Sequence, residues 1–383
     1  MFRKTLFWLH LVAGLSAGLA IAIMCFTGTL LAFEKQIVAW AERDARTVAV
    51  PVDVAARLSI DELAQHLATA RPTARPSSIT VSAEPSAAVA FAVGREETFY
   101  VNPYTGEVRT PASTAARRFL RTMTDWHRWL AFSGDQRPLG KGINGACTIA
   151  FCALALTGMY LWIPRTWSWR GVRAVAVFNW RLTGKSRDFN WHNSIGLWCA
   201  PILIVLTLTA LPISYRWANN LVYRLAGEAP PAQGPGAPGQ PALQLPANTA
   251  NATPLARDAQ FAAIGRLFPG WEQLTLRLGG PDRAPANFTV KTADRWPRTA
   301  TTTVVLDPFT GESLRKETFS DQSTGRQIRV WTRFLHTGEA LGWIGQLVAG
   351  LATLGGCFLV YTGFALSYRR FFSKPAKAPK PAA

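Results

Sequence analysis

The sequence predicts a membrane α-helical protein of four transmembrane helices with two α+β lobes, arranged as two parallel internal repeats. Three observations carry this prediction. Four apolar runs are long enough to span a bilayer, the basic residues crowd onto the short segments between them, and several motifs occur twice at matching places. The runs lie near 7–33, 142–163, 193–213 and 340–368, and each meets the roughly 20 residues that the hydrocarbon core of a bilayer requires.

In chain order the elements are a first transmembrane helix at 1–33, a lobe at 34–141 ending in an interfacial histidine segment, and a second helix at 142–163. A basic loop at 164–191 leads to a third helix at 192–213 and a segment at 214–257 with a Pro/Gly-rich linker. A second lobe at 258–335, a fourth helix at 336–368 and a basic tail at 369–383 complete the order. The first run reads as a retained helix. It is longer than the apolar region of a signal peptide, and no small-residue cleavage site follows it.

Of the 41 basic and 23 acidic residues, the N-terminus, the 164–191 loop and the tail hold 13 basic residues against one acid, Asp188. The two long segments are nearly balanced, with 14 basic and 12 acidic residues in 34–141 and 14 and 10 in 213–339. This is the positive-inside pattern. It predicts cytoplasmic termini and loop, with the lobes on the other side. The +18 charge is then a matter of topology and lipid headgroups, and no nucleic-acid partner is needed to explain it. Cys25, Cys147, Cys152, Cys199 and Cys357 all fall in apolar runs, where they read as small hydrophobes rather than a disulfide framework. No C-x-x-C-H occurs, so covalent haem is not expected.

The repeats are specific. His10 is followed by Gly14-Leu15 and, seventeen positions on, Thr27; His192 is followed by Gly196-Leu197 and, seventeen on, Thr209. Thr157-Gly158 stands eight residues before Arg165, and Thr362-Gly363 eight before Arg370. The lobes repeat Asn102-Pro103-Tyr104-Thr105-Gly106-Glu107 as Asp307-Pro308-Phe309-Thr310-Gly311-Glu312, in which Pro presets a turn and Gly supplies positive φ. Each motif follows a helical pattern (60–70 and 258–267) and alternating strand patterns (79–81, 89–93 and 98–101; 274–278, 287–290 and 301–306). Both halves start on the same side, so they run parallel about an axis along the membrane normal. The 228–254 stretch is a flexible linker. Its Gly234-x-Gly236-x-x-Gly239 has no strand before it or helix after it and is discarded as a dinucleotide motif.

The chain has five histidines. His66 lacks a repeat partner and reads as a surface residue. The other four pair through the repeat. His10 and His192 lie five or six residues inside Lys4 and Arg187, roughly 7–9 Å along a helix. His127 and His336 precede the second and fourth runs, in Trp126-His127-Arg128-Trp129 and Phe334-Leu335-His336-Thr337-Gly338. Histidines at such depths are costly and usually functional, and neutral imidazole is the commonest metal ligand. Two facing pairs, one near each membrane face, are the arrangement for two bis-histidine haems with iron held by His10/His192 and His127/His336. Gly14, Gly196, Ala131 and Ala340, each four residues after a histidine, leave room for a flat macrocycle. Arg128, Arg187 and Arg333 are candidate partners for haem propionates. A single histidine beside a tryptophan would read as an interfacial anchor. A proton relay would add membrane carboxylates, and a zinc or copper site would gather three or four ligands.

The Asn/Asp-Pro-Tyr/Phe-Thr-Gly-Glu turn after a helix and strands resembles the PepSY domain. Two such lobes alternating with four membrane helices, with His10, His127, His192, His336 and the Thr-Gly helix ends, resemble the PepSY-associated transmembrane family over roughly 6–371. Within it, the pattern is similar to the inner-membrane ferric-siderophore reductases of the ferrioxamine/ferrichrome type. That resemblance implies two non-covalent b-type haems and reduction of a ferric hydroxamate siderophore in the periplasm; a membrane quinol and a cytoplasmic reductase both stay open as the electron donor. Trp126, Trp129 and Trp331 are candidates for the chelate's cradle and equally for a membrane aromatic belt. Two other functions stay open at this point: a non-catalytic PepSY protein that binds peptide or regulates a protease, and an iron-chelate transporter subunit.

Overall fold

The computed structural model describes residues 1–52, 56–94, 97–163, 167–231, 245, 253–279 and 284–372. Arg165, most of the Pro/Gly-rich linker with its glycine pattern, and the tail from 373 lie outside the described residues. In chain order the helices are α1 (Phe2–Leu31), α2 (Glu34–Ala41), α3 (Arg43–Arg46), α4 (Ile60–Ala70), α5 (Ala115–Trp129), α6 (Arg137–Trp162), α7 (Trp169–Ala176), α8 (Gly184–Ser214), α9 (Arg216–Leu225), α10 (Arg257–Leu267), α11 (Thr324–His336) and α12 (Gly342–Phe372). The strands are β1 (Ser78–Ser82), β2 (Val89–Val93), β3 (Glu97–Val101), β4 (Val108–Arg109), β5 (Trp271–Arg277), β6 (Ala286–Thr292), β7 (Thr302–Leu306) and β8 (Ser313–Glu317). The chain divides into two compact units, one of residues 1–33, 120–222 and 329 onward, the other of 34–119 and 223–328.

The first unit is a bundle of α1, α6, α8 and α12, each long and apolar enough to cross a membrane. Each of α1 and α8 packs against both α6 and α12. Small residues let the helices approach closely: the Cys25 sulfur lies against Gly356 and the Cys199 sulfur against Gly355, as expected where association relies on packing rather than on exclusion of water. The bundle core holds Ala17, Ile21, Met24 and Cys25, with Leu203, Leu206, Ala349 and Ala352 beside it. Leu9, Leu19, Phe26, Leu156, Leu208 and Leu351 point outward and are exposed. On a water-soluble protein such a surface would be an aggregation liability; here it is the lipid face.

The helix ends differ instructively from the apolar runs. α8 starts at Gly184 and takes in Arg187 and Asp188, although charged residues are poor candidates for a span. Asp188 is fully buried because both carboxylate oxygens are bonded. Arg187 donates to Oδ1 at 2.9 Å and Arg369 of α12 to Oδ2 at 3.0 Å. At the opposite end, His336 closes α11 rather than opening the last span, and Gly338 and Gly342 turn the chain with φ of 74° and 65° before α12.

The second unit departs from two separate lobes. Its strands form one antiparallel sheet in the order β4-β3-β2-β1-β5-β6-β7-β8. A four-stranded half would leave β1 or β5 as an open edge, and edges invite pairing. Here the two edges pair with each other over five residues, Ser78 opposite Arg277 through Ser82 opposite Gln273, and Thr80 and Thr275 hydrogen-bond through their hydroxyls at 3.0 Å. Leu63 and Leu67 of α4 and Phe261 and Ile264 of α10 share one core with Ile79, Phe91, Phe288 and Val304. The helices exchange caps. The Asp258 carboxylate accepts from the Ile60 amide at 2.9 Å and Asp61 from the Arg257 amide at 3.0 Å. The repeated turns are alike in detail: Asn102 Oδ1 accepts from the Tyr104 amide at 2.9 Å and Asp307 Oδ1 from the Phe309 amide at 2.8 Å.

Candidate functional site

The bundle brings the four paired histidines together two by two. His10 of α1 faces His192 of α8, with ring centres 6.5 Å apart. His127 of α5 faces His336 of α11 at 6.2 Å. Two imidazoles that bond one metal from opposite sides, each at about 2 Å, keep their ring centres roughly 6 Å apart. His66, the unpaired fifth, lies in the other unit, where its ring packs on Gly106 of the Pro-Tyr-Thr-Gly turn at 2.5 Å from where a Cβ would stand.

The hydrogen bonds assign the ring protons. Nδ1 of His10 meets Thr157 Oγ1 at 2.8 Å, Nδ1 of His127 meets Thr27 Oγ1 at 2.9 Å, and Nδ1 of His192 meets Thr362 Oγ1 at 2.9 Å. Each threonine has one hydroxyl proton and places it on a backbone carbonyl a turn earlier: Thr157 on Ala153 at 2.7 Å, Thr27 on Ile23 at 2.6 Å, Thr362 on Phe358 at 2.8 Å. The hydroxyl oxygen is thus left to accept, and the imidazole must donate from Nδ1. Backbone carbonyls, which only accept, make the same assignment at the second pair: Met24 O lies 3.1 Å from Nδ1 of His127 and Leu206 O 2.9 Å from Nδ1 of His336. In every ring Nε2 is then the lone-pair nitrogen, and this is how a second shell sets a histidine ligand's tautomer and orientation. Burial, the facing His336 and the Arg128 charge lower the His127 pKa to about 4, and burial lowers that of His336. At neutral pH both are uncharged and available as ligands.

The sequence marked these threonines only as repeat markers; their role is to hold the histidines. A glycine follows each of these three threonines, and the fit is tight only at Gly28. A Cβ on Gly158 would stand 3.4 Å from the His10 ring, on Gly28 3.3 Å from His127, and on Gly363 3.6 Å from His192. The fourth threonine, Thr209, bonds to carbonyls of its own helix, and Ala210 takes the place of glycine.

A cavity of about 800 Å³ surrounds the first pair, within the roughly 300–1,000 Å³ of small-molecule and cofactor sites. His10, His192, Gly14, Gly158, Gly196 and Gly363 all line it, so both rings open onto space that glycines keep flat. Among the described residues no three His, Cys, Asp or Glu gather as a bare ion would require. A pair of imidazoles suits instead a metal that arrives inside a macrocycle, with two axial positions to fill. The residues therefore fit a haem at the first pair by volume and donors, and at the second by donors and spacing. The three arginines named as propionate partners have other contacts. Arg187 bonds Asp188 and stacks on Trp191 at 5.2 Å, Arg128 lies 4.7 Å over Trp129, and Arg333 lies 5.7 Å over Phe334. Trp129 is also covered by Arg137 at 4.5 Å. Trp126 is partly exposed, and Trp331 lies in α11 five residues before His336.

Fold and site together define a class: a four-span membrane protein whose bundle holds two facing pairs of ligand-ready histidines. The chain belongs to the PepSY-associated TM family; the model of the PepSY-associated TM region matches residues 7–370, from the first span to the end of the last. Comparison with the curated proteins finds no match.

Proposed function

We propose that this protein is a transmembrane di-haem b oxidoreductase that carries electrons across the bacterial inner membrane and reduces a ferric hydroxamate siderophore in the periplasm, releasing its iron. The observation that carries the reading is the two histidine pairs, spaced for a shared axial metal and with every Nδ1 already donating. His10 and His192 would hold one non-covalent haem, and His127 and His336 the other. Once bound, the haems supply one-electron transfer between the two membrane faces. With two imidazoles available at each site, the iron would be held by protein groups alone, which suits electron transfer rather than oxygen binding. The threonines fix the ring planes, and the apolar helices exclude water from the path. The basic N-terminus and 164–191 loop support cytoplasmic termini and a periplasmic second unit. The substrate is Fe(III), which takes one electron to become Fe(II). Hydroxamate oxygens grip the harder Fe(III) more strongly, so reduction loosens the chelate. The donor is a membrane quinol or a cytoplasmic reductase.

The test is anaerobic mixing of dithionite-reduced protein with ferric hydroxamate chelates. The reading predicts reoxidation of the haem absorption bands, with one Fe(II) trapped by a ferrous chelator per electron lost. Bands that stay reduced in the presence of every ferric chelate would overturn the assigned substrate.

A further inference from the structure

The cavity beside His10 and His192 has one polar end. Arg3 and Lys4 at the start of α1, Lys185 at the start of α8 and Arg370 near the end of α12 all line it, together with Trp162 at the end of α6. Every spanning helix thus contributes a cation or an N–H donor, all at the end of the bundle where α1 begins and α12 finishes. No aspartate or glutamate is among the described lining residues. The nearest acid along α8, Asp188, is outside the lining and has both oxygens taken by Arg187 and Arg369. Apart from His10, His192, Asn193 and Ser367, the remaining wall is apolar or glycine.

The positive-inside pattern alone would account for cations facing water. It does not account for the Trp162 indole. Its Nε1 is buried and meets no acceptor among the described residues, although buried polar groups in folded proteins almost always have a partner. Arg370, itself exposed, reaches along the cavity wall, 4.9 Å over Phe7 and 5.1 Å over Trp8. Thr362 fixes His192, and Arg370 follows it by eight residues, about 12 Å along the helix.

We infer that this mouth is a carboxylate-reading site: Arg3, Lys4, Lys185, Arg370 and the Trp162 N–H receive the anionic arms of the macrocycle held by His10 and His192, and so select a porphyrin that carries free carboxylates. The inference rests on the haem reading proposed above and deepens it. It moves the propionate role from Arg187, which Asp188 occupies, to residues that the sequence explains only by topology.

The experiment titrates the haem-stripped full-length chain, as His127→Ala so that only the first site remains, with haem b and with haem b dimethyl ester. Haem b is expected to bind at least about tenfold more tightly than the ester. In the same background, Arg370→Gln with Lys185→Gln weakens haem b binding by a similar factor and leaves ester binding unchanged. Equal affinity for both porphyrins overturns the inference alone. So does indifference of haem b to the double substitution. Failure of both porphyrins to bind, in this variant and in the unsubstituted chain, overturns the inference and the haem reading together.

Discussion

The two histidine pairs reach nearly the same ring separation by different means. At the first pair, His10 and His192 sit inside spanning helices, and each leans on a threonine of a neighbouring span. At the second, His127 and His336 sit on short amphipathic helices outside the spans, and backbone carbonyls of α1 and α8 take part in holding them. The first pair is therefore as rigid as the bundle itself. The second depends on how α5 and α11 dock onto it. The constant feature is the anchor on Nδ1, and the carrier of the ring varies. Both ends specify the same tautomer through the partner on Nδ1.

Substitutions separate the two sites. The largest effect is expected from removing a ring: His192→Ala should abolish one haem signal and His336→Ala the other, each measured as loss of about half of the reduced b-type absorbance. Loss of the same signal by both variants would break the assignment of two separate pairs. An intermediate effect is expected from the anchors. Thr362→Ala should weaken haem binding at the first site about 10- to 100-fold, because it removes the hydroxyl that holds Nδ1 of His192. Thr209→Ala should have little effect at the second, because His336 is held by the Leu206 carbonyl. Titration of each variant with haem reads the contrast, and equal losses would deny the carbonyl its role. The smallest effect concerns space. Gly28→Ala, with 3.3 Å to the His127 ring, should perturb its site more than Gly363→Ala, with 3.6 Å to His192, read as a shift in the low-spin electron paramagnetic resonance of the corresponding haem.

Much of this was legible in the sequence, and the reasons are physical. Long apolar runs and basic loops follow from the bilayer, so four spans could be read directly. The histidines stood out because imidazole is rare at such depths, and the repeat paired them. The helical patterns at 60–70 and 258–267 coincide closely with α4, whose buried Ile60, Leu63 and Leu67 follow the helical period, and with α10, which buries Phe261 and Ile264. What was hidden is non-local. Pairing of β1 with β5 joins residues nearly 200 positions apart, and no local pattern announces it; the exchanged caps of Asp61 and Asp258 are hidden for the same reason. β4 and β8 lie just past the Gly-Glu turns, where short polar segments carry little strand signal. The threonines were visible as repeat markers, and their recurrence wherever a histidine recurs was the available clue to their role. The bond of Arg187 to the adjacent Asp188 is within reach of the sequence, whereas that of Arg369 to the same carboxylate joins distant segments and is not.

The central claim is that imidazoles from the two halves of the chain clasp a porphyrin at each end of the bundle. Counting haem in the purified full-length protein, by the pyridine haemochrome spectrum against protein concentration after acid extraction, tests it most directly. The account predicts two extractable b-type haems per chain, falling to one in His10→Ala with His192→Ala and to none when His127→Ala and His336→Ala are added. A colourless protein after expression with ample haem, or a count that ignores the histidines, would contradict it.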